Sequence, residues 1–148
     1  MANPLYGQNK ADTLLSEISN VKVRQFKIDF GAQAAGTATT ESFVKGDTII
    51  SFSGVVTEAM TSGGSATIQL GFTGKTMLSP AVAKATAVAD YPIAPDESAD
   101  AAVYVLTADD TFDSIVATAT ATAGKVDVSV WYIAAPSVSS DAQEYVTA

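Results

Sequence analysis

Apolar and polar residues alternate with a period of two over several stretches of the chain. The longest of these stretches is GKVDVSVWYI, at residues 124–133. One face of it carries Val126, Val128, Val130 and Tyr132, and the other carries Asp127, Ser129, Trp131 and Ile133. Such alternation predicts a β-strand with one face buried.

A second clear strand is GSATIQLGF, at residues 64–72, in which Ala66, Ile68, Leu70 and Phe72 share a face. We expect Ile68 and Leu70 to pack against the valines of 124–133 between two sheets. No long segment has the 3.6-residue period of an amphipathic helix. The pattern therefore favours an all-β fold.

A change of phase and two glycines predict breaks within other strands. The alternation shifts by one residue at Arg24–Gln25, which predicts a β-bulge or a bend. Ser53–Gly54 separates two apolar runs within residues 45–60 and predicts the turn of a hairpin. Gly124 predicts a turn between the last two strands.

The longest irregular stretch runs from Thr73 to Asp100 and carries three prolines. Its alanine-rich middle, residues 81–89, predicts a short helix. A loop of this length in a compact domain is usually functional or interfacial. A surface excursion without a role fits the sequence equally well.

About seven or eight short strands with frequent turns are typical of a sandwich or jelly roll. The predicted fold is all-β: an antiparallel β-sandwich or jelly roll with an extended N-terminal arm. We assign residues 1–20 to the arm, residues 21–135 to the β-sandwich domain and residues 136–148 to a C-terminal tail.

The arm is mostly polar and has too few apolar side chains to form its own core. A free segment of this composition orders only where it docks. We therefore predict that its apolar side chains bind a partner: Leu5, Tyr6, Leu14, Leu15 and Ile18.

The charge of the chain is −8 and is unevenly distributed. Residues 1–84 hold seven basic and six acidic side chains, whereas residues 85–148 hold Lys125 alone against ten acidic ones. An acidic surface repels phosphate backbones, so nucleic-acid binding is not expected. No apolar stretch approaches the length of a membrane span, and we expect the protein to be made as a soluble chain.

The chain contains no cysteine and no histidine, which excludes disulfides, thiolate metal sites and catalytic devices that need either residue. Two acidic clusters remain: Asp96, Glu97 and Asp100, and Asp109, Asp110 and Asp113. Carboxylates of this kind suit calcium or a paired-carboxylate hydrolase. Turn-capping side chains are the simpler interpretation, and we predict no catalytic residue, no metal and no cofactor.

Trp131 is the single tryptophan of the chain and lies on the otherwise polar face of its strand. A tryptophan in this position fits an interface pocket or a stacked sugar. Cover by the arm or by the long loop is the simpler alternative. Trp131 is therefore a candidate interface residue.

Three segments carry a resemblance to a known family: KGDTIISF (45–52), GSATIQLGF (64–72) and VYVLTADDTFDSIVATATATAGKVDVSVWYI (103–133). In this succession they resemble small virion proteins encoded near the head genes of tailed bacteriophages, especially those of marine and cyanobacterial hosts. Proteins of this kind look like capsid decoration, or cement, proteins. The resemblance implies a β-rich, often trimeric protein that grips the shell with an N-terminal arm. It transfers no active-site residue.

The expected function is that of a capsid decoration protein that stabilises a phage head by contacts between shell subunits. Its expected partners are the major capsid protein and further copies of itself as a homotrimer, with no nucleic acid and no membrane. Its expected location is the capsid surface of the virion, after synthesis in the host cytoplasm. The alternatives are a head fibre, vertex or tail component, or a carbohydrate-binding β-sandwich for host attachment.

Overall fold

The computed structural model describes residues 20–73, 77–96 and 103–136. Within these ranges the chain forms nine β-strands and no helix. The strands are β1 (Val21–Asp29), β2 (Gly36–Phe43), β3 (Thr48–Ser62), β4 (Thr67–Gly71), β5 (Val82–Ala83), β6 (Pro92–Ile93), β7 (Tyr104–Val105), β8 (Asp110–Ala117) and β9 (Ala121–Ile133).

The strands form two antiparallel sheets. The first has the order β1-β9-β3-β6, with β7 also paired to β3, and the second has the order β2-β8-β4-β5. Buried side chains from both sheets form one hydrophobic core. The predicted antiparallel β-sandwich is therefore confirmed.

The inward faces predicted for the two clearest strands are also confirmed. Val126, Val128 and Val130 of β9 are at most 1% exposed. Ile68 and Leu70 of β4 are 1% and 0% exposed. Period-two alternation identified these faces because each strand has one buried side and one side turned to solvent.

Aromatic rings fill the middle of the core. The Phe112 ring lies edge-on to those of Phe26, Phe52 and Phe72, at centroid distances of 5.4, 5.0 and 5.4 Å. Phe43 joins the cluster through Phe72 at 5.5 Å. Edge-to-face pairs add to the free energy of area burial, so this ring cluster stabilises the contact between the two sheets.

The hairpin predicted at Ser53–Gly54 is wrong, because β3 continues through this point to Ser62. A side-chain carbon on Gly54 would lie 3.0 Å from Val126 Cγ1 and 3.4 Å from Leu70 Cδ1. The glycine is therefore required for close packing of the core rather than for a turn.

The bulge predicted at Arg24–Gln25 is wrong as well, because β1 pairs with β9 residue for residue along its length. Arg24 faces inward, with its guanidinium carbon 4.4 Å from the centroid of the Phe43 ring. A guanidinium over a ring face is a favourable cation–π contact. With Arg24 inside, Val21 and Val23 lie on the outer side of the sheet.

The long stretch after β4 returns to both sheets, and the helix predicted at 81–89 is wrong. β5 pairs with β4, and β6 pairs with β3. Each is an edge strand of its sheet, and short edge strands limit pairing with other chains. Pro92 fits this edge because it needs no ladder partner for its nitrogen.

Gly124 lies inside β9, so the turn predicted there is wrong. The chain bends instead before β9, where Thr118 has a φ of 77°. A side-chain carbon on Gly124 would lie 3.1 Å from Met60 Cα. This glycine, like Gly54, marks a close approach of two strands.

Apart from Asn20 and Pro136, the arm and the tail lie outside the described residues, and so do the five partner-binding residues predicted in the arm: Leu5, Tyr6, Leu14, Leu15 and Ile18. Among the residues that the structure describes, there is no helix long and apolar enough to cross a membrane.

Candidate interaction surface

Asp47, the last residue of the KGD motif, forms a buried latch at the exit of the last strand. Asp47 is 3% exposed. Its carboxylate accepts hydrogen bonds from the backbone nitrogens of Val44, at 3.1 Å, and Ala135, at 2.7 Å. Its carbonyl oxygen accepts a third from Leu106 N at 2.8 Å. One residue thus joins the turn before β3, the end of β7 and the segment after β9.

We expect Asp47→Asn to lower the free energy of unfolding by about 1–3 kcal/mol, because both carboxylate oxygens accept buried hydrogen bonds. The asparagine amide has only one acceptor oxygen. Its NH2 group would therefore face the second backbone N–H, and two donors would be placed against each other. Asp109→Asn is the matched control: its exposed carboxylate accepts one hydrogen bond, from Lys45 N at 2.8 Å. Urea unfolding of the two variants measures the difference, and equal losses would contradict the latch.

The carboxylates of the second acidic cluster are engaged by nearby polar groups. Asp110 accepts a hydrogen bond from Thr111 N at 2.8 Å. Asp113 is 2% exposed and accepts hydrogen bonds from the hydroxyls of Thr111, at 2.7 Å, and Thr73. The contact of Asp110 with the adjacent backbone fits the turn-capping interpretation. For Asp113 that interpretation is wrong, because this side chain is buried within β8 and accepts hydrogen bonds from threonine hydroxyls rather than from a turn.

The first acidic cluster is described only in part, because Glu97 and Asp100 lie outside the described residues. The backbone nitrogen of Asp96 donates to Leu78 O at 2.8 Å. Among the described residues, no group of three or more acidic side chains is arranged to hold a metal ion.

In the part of the chain that the structure describes, two side chains have a pKa raised above the ordinary value. Burial raises the pKa of Tyr104, and the nearby negative charge of Asp110 raises it further. The hydrogen bond from Lys125 to Glu58, together with the charge of that carboxylate, raises the pKa of Lys125. Both shifts favour the form already present at neutral pH, so neither side chain is prepared for proton transfer.

A groove of about 290 Å³ lies beside β5 and β6. Its lining is mostly apolar: Pro80, Ala81, Val82, Tyr91, Pro92, Ile93, Ala94, Pro95 and Asp96. Small-molecule sites usually combine apolar walls with several convergent polar groups. The groove has a single charged lining residue and does not fit that description.

The outer face of the first sheet, which is turned away from the core, has an apolar end. One row across four strands holds Val21, Ile133, Thr48 and Val105 in register. The next row holds Val23, Trp131 and Ser51. Val21, Val23 and Val105 are 43%, 48% and 57% exposed. The apolar end is defined as Val21, Val23, Val105, Trp131 and Ile133.

The opposite end of the same face is charged and internally paired. Lys27 Nζ lies 3.5 Å from Asp127 Oδ1, and Lys125 Nζ lies 2.8 Å from Glu58 Oε2. Both pairs join cross-strand neighbours. Exposed ion pairs of this kind contribute little to the free energy of unfolding. Their charged side chains are nevertheless well solvated, so this end of the face is stable in contact with water. A contact surface on this face is therefore favoured at the apolar end.

Trp131 was identifiable from the sequence as a tryptophan on a polar face, and the structure places it half-buried on the outer face beside Val23. The sequence interpretation missed Val21 and Val23, because it placed a bulge between them and the next apolar run. Their alternation with Lys22 and Arg24 was visible. The alternation did not show which face of β1 is turned toward the core, and the structure shows that it is the face that carries Lys22 and Arg24.

No protein-family model matches the chain, and no curated protein matches it in sequence. Solved structures do match. A chain of the acidic stable capsid structure of Helicobacter pylori bacteriophage KHP30 aligns with a TM-score of 0.51 and 13% identity, over 76% of this chain and 86% of that one. A chain of the cyanophage Pam1 capsid asymmetric unit aligns with a TM-score of 0.50 and 19% identity, over 78% and 85%.

A chain of the capsid of Ralstonia phage GP4 aligns with a TM-score of 0.48 and 13% identity, over 78% of this chain and 86% of that one. At the identities of the first two matches, the likeness shows a shared fold. This β-sandwich is thus of a kind found in chains of phage capsid structures.

Proposed function

We propose that the protein is a virion structural protein that decorates a phage capsid and stabilises contacts between shell subunits. The observation that carries the proposal is the fold shared with chains of the KHP30 and Pam1 capsid structures, over about three quarters of this chain. The strand motifs that resemble head-associated virion proteins are an independent line of support.

The surface chemistry supports a role in assembly rather than in catalysis. The acidic side chains of the second cluster serve the fold through hydrogen bonds. The apolar end supplies exposed valines beside a tryptophan, the kind of residue that anchors protein interfaces. We propose no catalytic residue and no cofactor.

The proposed partners are the major capsid protein and other copies of this chain, arranged as a homotrimer on the capsid surface. The proposed contact with the shell is made by the arm, chiefly through its distal residues Leu5 and Tyr6. A segment that orders on binding provides contact area without requiring a large preformed surface.

Cryo-electron microscopy of purified virions tests the proposal. We expect density for this fold on the outside of the head. A shell of many symmetry-related subunits offers many equivalent binding positions, so we expect on the order of hundreds of copies per particle. A dozen or fewer copies would instead indicate a head fibre, vertex or tail component. Absence of the protein from the particle would refute a virion role.

A carbohydrate-binding role remains the second candidate, because Trp131 lies on an accessible face. Its in-register neighbours are Val23 and Ser51, which provide one hydroxyl for a sugar. In a glycan array, binding that Trp131→Ala abolishes would favour this alternative. We expect the wild-type protein to bind no glycan.

A further inference from the structure

The apolar end lies where the chain enters the sandwich. Val21 is both the first residue of β1 and a member of the apolar end. The nineteen residues that precede Asn20 are outside the structure. Any segment that leaves Val21 toward the N-terminus therefore starts beside an exposed apolar surface.

The nearest part of that segment has matching chemistry. Its apolar side chains Leu14, Leu15 and Ile18 lie within seven residues of Val21. An extended chain spans at most about 3.3–3.6 Å per residue, so seven residues reach about 25 Å. The four strands of the apolar end span about 15 Å at the usual strand spacing. Leu14 and Leu15 can therefore reach every strand of the apolar end, and Ile18, three residues from Val21, can reach the strands nearest to β1.

We propose that residues 14–18 pack on the apolar end of the same chain and cover Trp131. The occupant comes from the same chain because a tether of a few residues holds it at a high effective concentration. Another copy would have to compete with this nearby segment.

This arrangement divides the arm into two parts. The proximal part, residues 14–18, belongs to the sandwich, and the distal part, with Leu5 and Tyr6, extends away from it. The distal part deepens the proposed function, because it is free to contact the shell. The proximal part does not depend on that function.

Trp131 is the only tryptophan of the chain, so its fluorescence reports directly on this surface. The test compares the wild type with the triple variant Leu14→Ser, Leu15→Ser, Ile18→Ser. We expect the triple variant to shift emission to longer wavelength and to raise the acrylamide quenching constant. The matched control, Thr13→Ser, Ser16→Asn, Ser19→Asn, keeps the length and changes only polar positions, and it should behave as the wild type does.

Deletion of residues 2–10 is the second control and should leave Trp131 fluorescence unchanged, because it removes only the distal part. Circular dichroism confirms that each variant keeps its sheets. Equal quenching of wild type and triple variant would overturn the proposal. Shielding of Trp131 that disappears on dilution, together with a matching change in oligomeric state, would also overturn it and assign the surface to a second copy.

All these measurements use the isolated protein. A negative result would leave the proposed virion role intact. If the protein is absent from virions, the proposed virion role is wrong, but the fluorescence result on Trp131 is unaffected.

Discussion

Val128→Asp is expected to abolish folding. Val128 is 1% exposed in the middle of β9 and lies in register between Phe26 of β1 and Gly54 of β3. The strands on both sides of it are hydrogen-bonded to β9, so the backbone donors near it are already used. A carboxylate at this position would be buried without a partner.

The expected penalty is large compared with the stability of a domain. An unpaired buried charge costs several kcal/mol even after relaxation, and domains of this size are stable by only about 5–15 kcal/mol. We expect Val128→Asp to be insoluble or to lack a cooperative thermal transition. Truncation to alanine at the same site should cost about 1–4 kcal/mol and leave the fold intact.

Ser129→Asp is the matched control for this prediction. It introduces the same charge one residue further along β9, on the outer face of the sheet. We expect it to melt close to the wild type, since surface substitutions usually change stability by less than about 0.5 kcal/mol. A soluble Val128→Asp protein with an unchanged melting temperature would show that the inner face of β9 is assigned wrongly.

The sequence predicted those strands that have one buried and one solvated face. In β9 and β4, each inward residue is apolar and most outward residues are polar, so period-two alternation coincides with the true faces. In β1 it does not, because Val21 and Val23 form an exposed apolar surface while Arg24 lies over an aromatic ring. Alternation shows that two faces differ and leaves open which face is buried.

Glycine was the other source of error. Gly54 and Gly124 were interpreted as breaks, yet both lie inside long strands where a neighbouring strand leaves no room for a side chain. A glycine that permits a turn and a glycine that permits close packing have the same sequence signature. Only the position of the partner strand separates them.

The candidate surface was predictable to a smaller extent. Trp131 was identifiable because a tryptophan on a polar face is unusual. Its neighbours in the apolar end come from β1 and β7, so their grouping depends on sheet order and register. The latch at Asp47 was not predictable either, because its partner Ala135 is 88 residues away in the chain.

Deletion of residues 2–19 is expected to leave the sandwich folded but to weaken incorporation into particles severely. The basic side chains next to the arm offer little free charge for binding an acidic shell surface. Arg24 contacts Phe43, and Lys27 is paired with Asp127. Lys22 is exposed and Lys10 lies outside the described residues, so we expect apolar contacts to carry most of the binding.

Melting should change little, because two opposing terms nearly cancel. For residues 14–18, burying the three apolar side chains contributes about 4.5–9 kcal/mol, while ordering the five backbone residues costs about 5–10 kcal/mol. In the particle the shell adds contacts that the isolated protein lacks, and binding then depends on the arm. Differential scanning calorimetry measures the first effect, and quantitative electrophoresis of particles mixed with the deletion variant measures the second.

Deletion of residues 2–10 separates the two parts of the arm in the same assay. If Leu5 and Tyr6 provide the grip on the shell, this shorter deletion should weaken incorporation nearly as much as deletion of residues 2–19. If the longer deletion alone weakens it, the anchor lies in residues 11–19. If neither deletion reduces occupancy, the arm is not the anchor, and attachment to the shell must occur through the sandwich itself.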